Sequence, residues 1–510
     1  MALSSVPAGY VLWAVVALVG VGVVYELLLS PLRQFPGPLL ARFTDFYRAG
    51  LTLTGRLDHW KRAWHRRWGP AVRVGPNAIS LGDPDLIRVI YTTKNAWLKT
   101  DMYRPNDLLV DGKRIQNIFN TPDKAFHAKY TKPIVGFWSQ TRILEFEPLM
   151  DETLRFLVDT LGKRFADTGA VCPMDDWVTY FSWDTAANVS FGQPYGFMQE
   201  GRDVGGMIAE STAGLKYFAP VSQIPWIDEW LDKNPVWRIG PRPLVNGFVY
   251  TVKILEEYRQ QLAAGTAKKK SVDLIIDKYN SLKGTVDFVD DAQVLNWLML
   301  NVLAGGDSTA GAMFSVVYHL GRNPDAQAKL VAELDAAHVA VPAQFKDIKN
   351  LPYLDAVMYE SQRISPAVGL MLEREVPAGG LRLADGRYIP AGTKVGINPC
   401  VVTRDRGLYG DDVDAFRPER WLRRTGETDD DYAHRHRRMA EAADLMFGAG
   451  NRVCMGKHFA KTEMYKLFAT LYRVFDIKLA KPDHEWKHFN AWFMFHKDIP
   501  MIIKRRDKAL

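Results

Sequence analysis

One cysteine lies in a glycine-rich stretch whose residue types suit a metal-bound macrocycle. The sequence reads FGAGNRVCMG from Phe447 to Gly456, with Cys454 two residues after Arg452. A thiolate that ligates iron must stay deprotonated and sheltered from water. Glycines allow a tight turn whose amide N–H groups can point at the sulfur. Phe447 can cover the thiolate face of a macrocycle, and Arg452 can pair with a carboxylate on it. The pattern indicates a metal-ligating thiolate, and the alternative is a buried structural cysteine beside a turn.

A second stretch places an acid and two hydroxyls in a long apolar segment of helical pattern. It reads AGGDST from Ala304 to Thr309. Two adjacent glycines cost about 1 kcal/mol each relative to alanine in a helix, so we expect a local opening with room for a diatomic molecule or water. Asp307 and the following alcohol form a proton-delivery pair. Ala304 and Ser308 share one helix face, and Gly305 and Thr309 share the next. The alternative is a buried helix whose small residues allow close packing.

Together these stretches resemble the haem-binding signature and the oxygen-activating motif of the cytochrome P-450 family. The resemblance implies haem b with the Cys454 thiolate as its axial, metal-binding ligand, and Asp307, Ser308 and Thr309 as the catalytic residues. In the family a threonine usually follows the acid directly, whereas here Ser308 follows it and Thr309 comes next. We expect Ser308 to take the usual role and Thr309 to support it. The cofactor-binding residues implied are Cys454, Arg452, Phe447, Gly456, Arg374, His127, Ala304 and Gly305.

The resemblance also indicates which cations reach the haem propionates. Arg374 falls where the family commonly places an arginine, and His127 fits a position usually held by tryptophan or histidine. Four residues further on, Thr131 stands where an arginine is usual, which leaves Lys129 or Lys132 as substitutes. The alternative for His127 is an ordinary surface or capped histidine.

Three further charged residues resemble a structural triad of the family. Glu360 and Arg363 lie three apart on one predicted helix face, and Arg420 follows in a turn-rich stretch. The triad is expected to stabilise the layer behind the haem loop, the stretch Phe447–Gly456, and not to take part in catalysis. An isolated pair of this kind would otherwise be a solvated surface feature.

The N-terminal segment has the length and composition of a membrane helix. From Tyr10 to Leu29 the chain is apolar except for Glu26. As a helix, this segment is long enough to cross about 30 Å of hydrocarbon. A cleaved signal peptide is less favoured because no basic region precedes the segment and no small-residue cleavage site follows it. Basic residues occur after the segment and not before it, so the following domain is predicted to be cytosolic. We expect a single-pass protein of the endoplasmic reticulum membrane, with residues 1–30 as anchor and 31–510 as one catalytic domain. The sequon at Asn188 is then a chance match.

The body of the chain is predicted to be mostly α with small β-sheets, the cytochrome P-450 fold behind a transmembrane helix. A hairpin is expected at 71–74 and 78–81, a long loop at 101–125 and a long helix from about 291 to 320. The tripeptide Lys268-Lys269-Lys270 is most simply a solvated loop. Three cysteines cannot form a disulfide framework, which fits a reducing compartment. A net charge of +7 without basic repeats makes nucleic acid an unexpected partner.

The function implied by the resemblance is a monooxygenase that inserts one oxygen atom from O2 into a hydrophobic specialised metabolite. No flavin or nicotinamide domain fits in the chain, so NADPH-cytochrome P-450 reductase, and possibly cytochrome b5, is the expected electron donor. The stretches 351–380 and 391–410 look most like those of fungal members of the pisatin demethylase-like branch. The pocket is expected to be lined by 108–120, 205–245, Leu300 with Ala304, 368–371 and 492–495.

Three alternatives remain at the level of sequence. One is a haem-thiolate isomerase or dehydratase that works without O2, which the Asp307-Ser308-Thr309 set disfavours. Another is a non-enzymatic haem protein. The third concerns seven basic residues near the haem loop, which either steer an acidic reductase or form an ordinary solvated surface balanced by nearby acids. They are Arg423, Arg424, Arg435, Arg437, Arg438, Lys457 and Lys461.

Overall fold

The computed structural model describes residues 8–93, 97–110, 112–240, 245–265 and 272–507. The predicted solvated loop at 268–270 lies outside the described residues, as do 241–244 and Asp111 of the predicted pocket segments. The described chain is mostly helical with small sheets, which confirms the predicted fold class.

The first half of the described chain contains eleven α-helices. They are α1 (Ala8–Val24), α2 (Phe46–Leu53), α3 (Leu57–Trp68), α4 (Ile87–Ile90), α5 (Lys124–Thr131), α6 (Gln140–Glu145), α7 (Glu147–Leu161), α8 (Met174–Phe191), α9 (Phe197–Glu200), α10 (Met207–Val221) and α11 (Val245–Ala263).

The second half contains nine more. They are α12 (Ile275–Asn280), α13 (Asp291–Arg322), α14 (Pro324–Ala336), α15 (Phe345–Ile348), α16 (Pro352–Ile364), α17 (Pro399–Val402), α18 (Arg406–Tyr409), α19 (Asp429–Ala443) and α20 (Lys457–Val474).

Thirteen short strands form five small sheets among the described residues. The largest has the order β1-β2-β9-β6, with β1 antiparallel to β2 and β2 parallel to β9. The strands are β1 (Ala71–Gly75), β2 (Ala78–Leu81), β3 (Leu108–Val110), β4 (Lys113–Ile115), β5 (Cys172–Pro173), β6 (Arg374–Glu375), β7 (Leu381–Arg382), β8 (Tyr388–Ile389), β9 (Lys394–Ile397), β10 (Phe475–Leu479), β11 (Lys487–Ala491), β12 (Phe493–Lys497) and β13 (Pro500–Arg505).

The long helix α13 has clear local start and stop signals. The Asp290 side chain accepts a hydrogen bond from the backbone N–H of Gln293 at 2.8 Å and caps the first turn. At the other end, Pro324 cannot continue the helix and begins α14 instead. Helix α13 packs along α8 and forms parts of both clusters of buried apolar side chains in the described chain. It therefore runs through the middle of the core, where it can present side chains to an interior site.

The segment predicted as a long loop at 101–125 is more ordered than the sequence indicated. It contains a 3-10 helix from Asp101 to Asn106 and the hairpin β3–β4, and α5 begins at Lys124. Periodicity did not reveal these elements because each is shorter than the window over which a repeat can be recognised. The long loop prediction was therefore wrong in part.

The N-terminal apolar segment forms α1, followed by a π-helical turn from Tyr25 to Leu29. Among the described helices, one span from Leu12 to Leu29 is long and apolar enough to cross a membrane, with a mean hydropathy of 2.3. Glu26 pairs with Arg73 of β1 at 2.5 Å, and the Arg73 side chain is fully buried. The end of the apolar segment is thus held against the sheet by an ion pair.

Candidate functional site

The loop before α20 folds so that Cys454 stands at its end. The N–H of Cys454 donates to the carbonyl oxygen of Phe447 at 2.6 Å and closes the loop. Gly450 has a φ of +65°, and a Cβ there would collide with the carbonyl oxygen of Tyr91. Only glycine meets both conditions, which explains one glycine of the motif. Helix α20 begins at Lys457, so its positive N-terminal end lies directly behind the cysteine.

The Cys454 side chain is exposed, whereas Cys172 and Cys400 are buried. Burial of the surroundings raises the pKa of the Cys454 thiol, while the backbone N–H groups of Gly456 and Lys457 act in the opposite direction. The exposure of the Cys454 side chain and the burial of its surroundings agree if the sulfur faces a space enclosed by protein. A thiolate here needs a further positive charge, and a metal cation at the sulfur would supply it.

The AGGDST stretch lies in the continuous helix α13 without the expected opening. Ser308 Oγ donates to the carbonyl oxygen of Ala304 at 2.5 Å, and these two residues lie on the accessible face of the helix. Thr309 is only 2% exposed and points into the core. Gly306 faces Trp183 instead of a vacant space, because a Cβ at Gly306 would lie 2.5 Å from the indole ring. The expectation of a helix opened at the glycines was wrong, since the space beside Gly306 is filled by a side chain.

Asp307 is buried between three helices. Its Oδ1 accepts a hydrogen bond from Trp183 Nε1 of α8 at 2.9 Å, and its Oδ2 accepts one from Ser211 Oγ of α10 at 2.6 Å. Burial raises the pKa of Asp307, and the two donors oppose that shift. The carboxyl group can therefore hold a proton more readily than an ordinary aspartate.

Four cationic or basic side chains meet near the cysteine loop: Lys99, His127, Arg374 and Arg452. Burial, followed by Arg374 and Arg452, lowers the pKa of Lys99 strongly. Burial, then Arg452 and Lys99, lowers the pKa of His127 to about 4, and burial with Arg374 lowers that of Arg452 to about 10. Their hydrogen bonds go to neutral groups: to backbone carbonyls, such as Arg374 to Glu373 O at 2.8 Å, and to the hydroxyl of Tyr103, which accepts from Arg374 at 3.4 Å. In the part of the chain that the structure describes, no carboxylate forms an ion pair with any of the four. An uncompensated group of this kind fits a ligand that carries two carboxylates.

Lys99 is the member of this group that the sequence analysis missed. The expected substitutes for an arginine at Thr131 were Lys129 and Lys132, and neither joins the group. The Lys129 ammonium lies over the rings of Tyr130 and Phe288, and Lys132 is exposed on the protein surface. Lys99 precedes a 3-10 helix and carries no motif, so no local pattern could identify it. Its partner Arg374 lies opposite it in an isolated β-bridge.

Aromatic side chains from distant segments meet around Trp492. Its ring makes edge-to-face contacts with Tyr103, Phe119 and Phe218 at centroid distances of 5.7–5.8 Å. Trp492 has a φ of +77°, a strained conformation for a bulky residue, and its carbonyl oxygen accepts the N–H of Gly369 at 2.9 Å. The segments expected to line a pocket at 108–120, 205–245, 368–371 and 492–495 thus converge. The Lys99 ammonium also lies over Tyr103 and Phe119, which joins this aromatic cluster to the cationic group.

The predicted structural triad is present as a buried network. Glu360 accepts two hydrogen bonds from Arg363 at 2.8 Å and one from Arg420 Nε at 3.0 Å. The indole of Trp421 and the backbone N–H of Arg417 complete the set, each at 2.8 Å. This network connects α16 to the segment before α19.

Most of the basic residues near the haem loop are already paired with acids. Lys457 and Lys461 both bind Asp444, at 2.8 and 2.9 Å. Arg423, Arg435 and Arg438 pair with Asp429, Glu427 and Asp85, respectively. This pattern favours the locally balanced surface over a strongly positive one. Arg424 and Arg437 have no ion pair among the described residues.

The sequon at Asn188 is buried in α8, where Asn188 Nδ2 donates to Leu149 O at 3.0 Å. Its amide is inaccessible in the folded chain, in line with the expectation of a chance match.

The family comparison agrees with this geometry. The sequence profile of the Cytochrome P-450 family matches residues 62–503. The chain therefore belongs to the cytochrome P-450 family, which implies a haem-thiolate cofactor, a redox partner and a small-molecule substrate.

Similar curated proteins come from fungi. The chain is 34% identical over 487 residues to the cytochrome P-450 monooxygenase cfoH of Aspergillus candidus, covering 94% of this chain and 89% of that protein. It is 32% identical over 492 residues to the monooxygenase mfmA of Annulohypoxylon moriforme, covering 94% and 93%. It is 33% identical to mpaDE of Penicillium roqueforti, but covers only 56% of that longer protein. The chain is thus an oxygen-incorporating oxidoreductase of the monooxygenase type. The pisatin demethylase-like branch stays a prediction.

Proposed function

We propose that this monooxygenase inserts one oxygen atom from O2 into a hydrophobic specialised metabolite, with electrons from NADPH delivered by a separate reductase. The proposal is carried by three features of the described residues. These are the exposed thiol of Cys454, the uncompensated cationic group around Lys99 and the accessible face of α13 at Ser308. The fungal monooxygenases named above support a role in specialised metabolism.

In this proposal the Cys454 thiolate would hold the iron of haem b. The N–H groups of Gly456 and Lys457 would stabilise the negative sulfur, and Phe447 would pack against the cofactor. The cationic group, whose members are Lys99, His127, Arg374 and Arg452, would bind the propionates. Ala304 and Gly305 of α13 would also contact the cofactor. When bound, the haem supplies the chemistry of O–O cleavage and oxygen insertion.

The protein side chains hold and move the protons that this chemistry consumes. Burial raises the pKa of the Asp307 carboxyl group, so it can take up and release a proton more readily than an ordinary aspartate. Ser308 is the hydroxyl on the accessible face, and a hydroxyl can accept one proton while it donates another. Thr309 supports the helix from the buried side. The roles follow from accessibility, because a buried alcohol cannot reach a ligand on the open face.

We expect Ser308→Ala to uncouple NADPH consumption from product formation more strongly than Thr309→Ala. General acid–base catalysis typically raises a reaction rate about 100-fold or more, and the loss of a relay hydroxyl removes part of that enhancement. The measurement is the ratio of product to NADPH consumed, together with hydrogen peroxide release. Equal and intact coupling in both variants would rule out the acid–alcohol assignment.

The substrate is expected to be apolar and of moderate size. The aromatic cluster of Trp492, Tyr103, Phe119 and Phe218 lies beside the cationic group and supports an apolar ligand there. Phe119 is the partly buried member of this cluster.

We place residues 1–30 as a single-pass anchor in the endoplasmic reticulum membrane and residues 31–510 as one cytosolic catalytic domain. The apolar span and the Arg73–Glu26 pair at its end support this placement. Trp226, Trp230 and Trp237 are exposed, and Trp226 contacts the exposed Phe46 at a ring distance of 6.1 Å. Exposed tryptophans are typical of a membrane interface. NADPH-cytochrome P-450 reductase, with or without cytochrome b5, is the proposed partner.

The proposed activity is tested with the full chain in membranes, supplemented with NADPH and a microsomal reductase. Candidate substrates are first selected by the spin-state shift that they induce. Their turnover is then measured under isotopically labelled O2. We expect one labelled oxygen atom per product and no product without NADPH. Product formation that needs neither NADPH nor O2 would instead identify an isomerase or dehydratase.

A further inference from the structure

Two adjacent side chains of helix α8 donate hydrogen bonds to the segment Gly305–Asp307 of α13. Trp183 Nε1 donates to Asp307 Oδ1 at 2.9 Å. Ser182 Oγ donates to the carbonyl oxygen of Gly306 at 2.9 Å and lies 3.3 Å from that of Gly305. The side chains of consecutive residues thus reach three consecutive positions of α13.

The glycine at position 306 fits this contact. Because a Cβ at Gly306 would lie 2.5 Å from the Trp183 ring, the indole lies directly against the α13 backbone. A glycine inside a helix costs about 1 kcal/mol relative to alanine, and here the close approach of the indole offsets that cost. The segment Gly305–Asp307 is therefore shaped to receive Trp183.

The orientation of Trp183 is fixed from behind. Its side chain is fully buried, and its ring contacts Phe197 at 5.8 Å and Tyr195 at 6.5 Å. Tyr195 lies just before α9 and Phe197 begins it, and Asp184 fixes this segment by accepting the backbone N–H groups of residues 196–198 at 2.9–3.2 Å. The packing of Phe197 and Tyr195 against the Trp183 ring therefore keeps the indole N–H directed at Asp307.

The two donors to Asp307 differ in what they can do chemically. An indole N–H donates only, so Trp183 can orient the carboxyl group but cannot pass a proton to it. A hydroxyl both donates and accepts, so Ser211 on the other carboxyl oxygen has a less restricted role. We propose that Trp183, supported by Ser182, is a positioning residue that sets the rotamer and protonation of Asp307 for proton delivery. This inference rests on the proposed role of Asp307 as proton donor.

The test compares Trp183→Phe with Trp177→Phe in the full haem-loaded protein. Trp177 is a buried tryptophan of the same helix whose ring contacts Phe165 and Tyr180. We expect the ratio of product to NADPH consumed to fall about tenfold in Trp183→Phe and to stay within about twofold of the parent in Trp177→Phe. Ser182→Ala, which removes only a hydroxyl, should lower the ratio of product to NADPH consumed about threefold. It is the test variant if Trp183→Phe does not fold.

A second readout separates positioning from packing. The Trp183 N–H favours the ionised form of Asp307, so its loss raises the pKa of that carboxyl group. The pH dependence of coupling should therefore move to higher pH in Trp183→Phe and not in Trp177→Phe. The charges of Lys497 and Asp203 also act on Asp307, and neither is changed in these variants.

The outcomes distinguish this inference from the proposal on which it rests. If Asp307→Asn uncouples the enzyme but Trp183→Phe and Ser182→Ala match Trp177→Phe in coupling and pH dependence, the positioning role is overturned. If Asp307→Asn leaves coupling intact, the proton-donor assignment itself fails. Melting temperature and the reduced carbon-monoxide spectrum are recorded for every variant, so that loss of fold or haem is not mistaken for uncoupling.

Discussion

Cys454→His is expected to abolish the red-shifted carbon-monoxide band that gives the cytochrome P-450 family its name. A thiolate donates electron density to the iron, and a neutral imidazole does so far less. The cysteine lies at the end of a closed loop with two backbone N–H groups stabilising its sulfur, so no other cysteine can replace it there. The measurement is the reduced, carbon-monoxide-bound difference spectrum of membranes that carry the full chain.

The other two cysteines provide matched controls. Cys172 and Cys400 are buried, and burial raises the pKa of Cys400 to about 12 and that of Cys172 further. They remain thiols, and their replacement by alanine should leave the band in place. A band that survives in Cys454→His, or that is missing from freshly prepared parent protein, would overturn the haem-thiolate assignment and every role derived from it.

Glu360→Gln is expected to lower the free energy of unfolding by about 3–5 kcal/mol, the largest stability effect that the structure predicts. Arg363 is fully buried and Glu360 is its only acidic partner among the described residues, whereas Arg420, 3% exposed, would keep only Asp412 at 3.1 Å. The glutamine keeps the volume of the side chain, so the effect isolates the charge. The measurement is chemical unfolding of the haem-loaded protein.

A surface glutamate serves as the control for this substitution. Glu375 is exposed, and Glu375→Gln should change stability by no more than about 0.5 kcal/mol. An equally small effect of Glu360→Gln would contradict the structural role of the network.

The pH dependence of this effect has a definite sign. Burial alone would raise the pKa of Glu360, but Arg363 and Arg420 hold it below the ordinary value of 4.5. Stability contributed by its ionised form is therefore fully present above that value and is lost as the pH falls through the lower folded-state pKa. The difference between parent and Glu360→Gln should be constant near neutral pH and shrink in acid.

Local spacing was enough to identify several parts of the site. The loop from Phe447 to Cys454 and the pair Asp307-Ser308 are both continuous in sequence, and their chemistry depends on residues close together in the chain. The long helix α13 was also predictable, because its apolar repeat extends over many turns between an acidic cap and Pro324. The resemblance already predicted Ser308 as the relay hydroxyl, and the burial of Thr309 in the structure supports that proposal.

The sequence by itself determined the family, the cysteine loop, the order of the long elements and the apolar N-terminal span, because each depends on contacts or periodicities within one stretch of chain. Only the tertiary structure selected Lys99 for the cationic group, filled the space beside Gly306 with Trp183 and paired most of the basic surface residues with acids. These outcomes depend on which distant side chains share a site after packing. Desolvation then decides the charge state of each group, and no local pattern encodes that environment.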